Sequence, residues 1–142
     1  MAGVPAAVAS WFVMILTSVA VVLGRHWSTL TTNDEPLIIP FLTAVPFGML
    51  SFGVFWPVIA AVARSVQANR TPALVLLGIG VAPIAGWIFF TTGYLLWGHG
   101  SYWSDMRRLA IRAEPVVVVL TSLVAGGATF GFVFARTEGS SG

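Results

Sequence analysis

The stretch GHGSYWSDMRRLAIRAEP, Gly98 to Pro115, is neither apolar enough for lipid nor short enough for a turn, and its reading decides how the rest of the chain is laid out. At about 100° per residue, Tyr102, Trp103, Met106, Leu109 and Ala110 share one face, while Ser104, Asp105, Arg107, Arg108 and Arg112 share the other. Only Ile111 breaks the pattern. Gly100 and Ser101 supply a stop and an N-cap, Asp105 lies where the helix dipole favours an anion, and the arginines follow toward the C-terminal end. The spacing predicts an interfacial amphipathic helix over about 101–113, with its apolar face in the lipid and its arginines at the headgroups.

The composition around this stretch excludes a water-soluble globule. Of 142 residues, 57% are hydrophobic and only 8% charged, and the mean hydropathy is +0.91. A chain of this kind is expected to be an all-α integral membrane protein of one domain. With no cysteine there is no disulfide, thiolate nucleophile or Cys-ligated metal. All seven basic residues are arginine, a usage that points to a GC-rich bacterial source and to the inner membrane. The net charge of +2 reflects arginines flanking apolar segments, so no nucleic-acid partner is expected.

Apolar runs place four transmembrane helices at about 6–24, 37–63, 73–98 and 115–135. The first has no basic segment ahead of it and reads as a retained span rather than a cleaved leader. Arg25, His26 and Trp27 mark its exit into the interface. The polar loop STLTTNDEP holds Asp34 and Glu35 and ends in an N-cap and Pro36. The second span contains Pro40, Pro46 and Pro57 and is expected to be kinked, with the kink facing protein. The third repeats small residues four apart at Gly78, Ala82 and Gly86, and the fourth pairs Ser122 with Gly126 and Gly127 with Gly131. These rows let helices approach closely. Residues 137–142 read as a flexible polar tail of linker composition. The fold expected is a four-helix transmembrane bundle with the interfacial helix between the third and fourth spans.

Four spans return both termini to one side. Arg64, Arg70 and Arg136 then lie with the termini and Arg25, Arg107, Arg108 and Arg112 opposite, a split the positive-inside rule does not resolve.

This layout brings His26, Asp34 and Glu35 of the first loop to the same membrane face as His99 and Asp105 of the third. Imidazoles beside carboxylates are the groups that general acid–base chemistry uses. No HxxH, HxxxH or HExxH spacing is present, so neither a metal site nor a cofactor is expected. Arg107, Arg108 and Arg112 are candidates for an anionic lipid, and Tyr94, Trp97 and Trp103, with Phe89, Phe90 and Met106 nearby, for a flat apolar ligand. No ionisable residue interrupts the spans, which argues against an ion- or proton-coupled transporter.

Two functions follow as expectations. The first is an accessory or scaffold subunit of a larger membrane complex, partnered by the bilayer and by other subunits or its own copies. It rests on small-residue rows in excess of one internal seam, short loops and unbroken apolar spans. The alternative is a small membrane-embedded enzyme acting on a lipid-soluble substrate at the His/Asp loop face. An uncoupled carrier or channel through the kinked second span is a weaker third.

Overall fold

The computed structural model describes residues 2–30, 38–67, 69–97 and 113–140, with the backbone alone described for some, among them His26, Tyr94 and Trp97. Every regular element among them is helical: α1 (Gly3–Leu30), α2 (Ile38–Leu50), a π-turn (Ser51–Phe55), α3 (Trp56–Ala63), α4 (Arg70–Trp97) and α5 (Ala113–Ser140). Four helical segments are long and apolar enough to cross a membrane: Gly3–Arg25, Thr43–Ala63, Arg70–Phe89 and Val117–Ser140. The expected interfacial helix at 101–113 lies, but for Ala113, outside the described residues, as does the loop carrying Asp34 and Glu35.

The helix ends follow local chemistry. In α1 the Ala6 amide donates to Ala2 O at 3.4 Å, and Pro5 falls in the first turn, where no donor is required. The helix runs past Gly24 to Leu30, because nothing in RHWSTL breaks it. The turn before α4 is closed by Asn69, whose φ of 50° is in the left-handed region that asparagine tolerates. Asn69 O then accepts the first bond of α4 from the Ala73 amide at 3.1 Å. Helix α5 does not stop at Arg136. It continues through Ser140, with Thr137 Oγ1 donating to Val133 O at 2.8 Å, so residues 137–140 are helical rather than a loose tail.

The prolines of the second span act in different ways. Pro40 sits in the first turn of α2 and Pro46 inside it. Before Pro57 the helix widens into the π-turn, in which Trp56 N–H donates to Ser51 O five residues back. Leu50, Phe55 and Trp56 all keep right-handed helical dihedrals, so α2, the π-turn and α3 form one rod. Such a turn inserts one residue and absorbs the clash that a proline imposes on the preceding turn.

Successive spans run antiparallel, and α5 is the centre. It packs along α4 on one side and along α1 on the other, whereas the second span lies mainly against α1. A buried row on α1, Ala6, Ser10, Met14, Ser18 and Val22, recurs every four residues and is fully enclosed. Phe55 meets Phe130 edge-on at 6.2 Å, and Phe130 stacks on Phe134 at 5.9 Å. These rings fill the space where the π-turn reaches α5.

Candidate functional site

The loop face read from the sequence is described only at its margins. Asp34, Glu35, His99, Trp103, Asp105, Arg107, Arg108 and Arg112 lie outside the described residues. His26 belongs to α1 and Tyr94 and Trp97 to the last turns of α4. Antiparallel alternation places those helix ends on the side opposite Gly3, Arg64, Arg70 and Ser140. Phe89 packs against the core, while Trp27 and Trp87 point outward.

What is built in detail is the interior. Gly78 and Gly127 meet backbone to backbone: a Cβ on either would fall on the other's carbonyl oxygen. Ala82 stands beside Gly127, Gly86 takes the side chain of Leu123, and Gly131 rests on the Leu74 carbonyl. The Ser122 and Gly126 row turns the other way, toward α1, where Gly126 faces Met14 and Ser10. All three small-residue rows are thus occupied within the chain. The surplus that the sequence reading set aside for another subunit is taken up by α5 packing on two neighbours instead of one.

A chain of hydroxyls crosses three helices at the level of the π-turn. Ser10 Oγ of α1 donates to Gly126 O of α5 at 2.9 Å, and Ser51 Oγ donates to Ser10 Oγ at 3.4 Å. Gly126 has to be a glycine for this, since a Cβ there would displace Met14 and crowd Ser10 Oγ. Nearby, the indole N–H of Trp11 donates to Ala44 O at 2.8 Å and ties α1 to α2.

The buried polar side chains among the described residues are Ser10, Ser18, Thr43, Ser51 and Ser122. Each hydroxyl has an acceptor. Ser18 donates to Ile15 O, Thr43 to Pro40 O and Ser122 to Val118 O. A serine becomes a nucleophile only beside a base, and the acceptors here are carbonyls and another hydroxyl. The arrangement joins helices and holds no reacting group. Ser10 and Trp11 were not singled out from the sequence, although the four-residue recurrence of Ala6, Ser10, Met14 and Ser18 carries the signal.

Among the described residues, charge is confined to the helix ends. Arg70 at the start of α4 pairs with Glu138 near the end of α5. Arg136 lies over the Phe132 ring at 5.3 Å, and Arg25 and Arg64 are exposed. No group of three or more metal-ligating side chains occurs among the described residues.

Comparison of the chain with protein-family models, curated proteins and solved structures finds no match.

Proposed function

We propose that the chain is an integral, multi-pass protein of a bacterial inner membrane that serves as an accessory or scaffold subunit of a larger membrane complex. The observation that carries the subunit role is the fate of the buried hydroxyls: each described one is spent on a backbone carbonyl or on another hydroxyl. Among the described residues these groups hold helices together and leave no buried hydroxyl without an acceptor. Four long apolar helices with their charged residues at the ends support the membrane placement. The all-arginine usage supports the bacterial source. The outward surface is apolar, with Phe12, Leu16, Phe41, Val45, Leu76 and Ile84 all exposed. Lipid and neighbouring helices are the surroundings that suit such residues.

Native mass spectrometry of the protein extracted in mild detergent from its own host tests the role. A stoichiometric second polypeptide is expected. A lone chain carrying a small bound mass would overturn the reading and turn attention to the enzyme alternative at the His/Asp face. Replacing His26, His99 and Asp105 with Ala is expected to leave yield, folding and partner binding unchanged.

A further inference from the structure

The π-turn leaves backbone acceptors that no amide in its own helical register serves. Trp56 N–H is committed to Ser51 O, and Phe55, as N-cap of α3, accepts the first bond of that helix from the amide of Ile59. Between these lie the carbonyls of Phe52, Gly53 and Val54. The amides left in helical register to reach them are those of residues 57 and 58, and Pro57 has no N–H. Val58 alone stands against three acceptors, so two carbonyls remain without a helical donor.

Phe52 and Gly53, which carry two of these carbonyls, lie on the outward side of the rod. Phe52 is 42% exposed, and Gly53 and Pro57 are exposed. Nothing lies within 4 Å of where a Gly53 Cβ would stand. The same face carries the bulky Phe41, Val45 and Met49, so Gly53 is a notch between Met49 and Pro57. It is also the midpoint of the candidate span Thr43–Ala63.

Depth decides what can fill the notch. A carbonyl without a donor is costly in hydrocarbon, where water is excluded. With a core about 30 Å thick, lipid headgroups and their hydroxyls lie about 15 Å from the midplane. A donor at the level of Gly53 has to be carried there on a protein side chain. An isologous contact centred on Gly53 itself, with its twofold axis along the membrane normal, would set carbonyl against carbonyl at one depth and supply no donor.

We infer that the outward face of the second span at Gly53 is the docking surface for a transmembrane helix of a different subunit. That helix seats its backbone in the Gly53 notch and donates a hydrogen bond from a Ser, Thr, Asn, Gln or Trp side chain to the unserved carbonyls of the π-turn. The inference rests on the subunit reading and names the surface that reading requires.

The test is native mass spectrometry of the full chain from its host, comparing wild type with Gly53→Leu, Pro57→Ala and, as a control at another open glycine, Gly80→Leu. Gly53→Leu fills the notch and is expected to lower the complexed fraction at least tenfold. Pro57→Ala adds no bulk and restores an N–H, and is expected to lower it severalfold. Gly80→Leu leaves it unchanged, and thermal unfolding of each purified chain confirms that it remains folded. A complex that survives both second-span variants overturns this surface and leaves the subunit reading standing. Loss with Gly53→Leu but not with Pro57→Ala overturns the hydrogen bond. A homo-oligomer, or a small quinol-like mass lost with Gly53→Leu, overturns the partner helix. A wild-type chain with no second polypeptide overturns the subunit reading itself.

Discussion

Gly78 and Gly127 each occupy the place where the other would need a Cβ, with the carbonyl oxygen of one glycine against the α-carbon of its partner. Helices α4 and α5 therefore touch through their backbones, and the contact is repeated where Gly131 rests on the Leu74 carbonyl. In lipid, where apolar side chains gain little by leaving their solvent, this proximity and the dispersion it brings are what hold two helices together.

Gly78→Ala is expected to lower stability in detergent by about 1–3 kcal/mol, the usual cost of overpacking, and Gly78→Leu by more. The loss comes despite the better helix propensity of alanine, worth about 1 kcal/mol. Gly80→Ala is the control, because open space surrounds Gly80. Its stability should be equal to or slightly above wild type. Thermal unfolding of the three variants and the wild type in one detergent decides the matter; equal midpoints for Gly78→Ala and Gly80→Ala would remove the seam.

The apolar runs made the four candidate spans legible, because their length and lack of internal charge leave few alternatives in a 142-residue chain. The small-residue rows were legible as contact faces, but their partners were not. Gly127 and Gly126 are adjacent and face different helices, and only the antiparallel register decides which neighbour each receives. The π-turn was hidden for a related reason. Three prolines in one span announce irregularity, yet whether the chain kinks or inserts a residue depends on what Ser51 and Phe55 meet across the interface. Asp34, Glu35, His99 and Asp105 remain expectations of the sequence, since they lie outside the described residues.

Ser10→Ala is expected to cost about 0.6 kcal/mol, and at most about 1.7, the range measured for hydrogen bonds between membrane helices. The substitution removes the donor to Gly126 O and the acceptor of Ser51 at once. Ser51→Ala removes only the outer link and should cost less. Because the two hydroxyls form one chain, the double variant should cost less than the sum of the singles. Strict additivity, read from unfolding in detergent, would show that Ser51 and Ser10 act independently.

Trp11→Phe separates the hydrogen bond of Trp11 from its packing. Phenylalanine keeps a ring against Gly48, which lies 3.6 Å from the indole N–H when given a Cβ, but cannot donate to Ala44 O. A loss of about 0.5–1.5 kcal/mol is expected for a bond of this type. It should be local to the second span, which relies on α1 for most of its contacts. Amide hydrogen exchange should accelerate in α2 and leave the α4–α5 seam protected. Equal acceleration in both would mean that the bundle opens as one unit.

The pair between Arg70 and Glu138 joins the same two helices as Gly78 and Gly127, but by a weaker means. Its side chains are 35% and 40% exposed, so water screens the attraction, and an exposed pair contributes about 0–1 kcal/mol. A double-mutant cycle with Arg70→Gln and Glu138→Gln should give a coupling in that range at low salt. At about 1 M salt the screening length is about 3 Å, and the coupling should vanish. In the complex extracted from its host, a neighbouring subunit that covered this end would shield the pair from ions, and the coupling would then persist at high salt. The cycle therefore separates an open helix end from a covered one without knowledge of the partner.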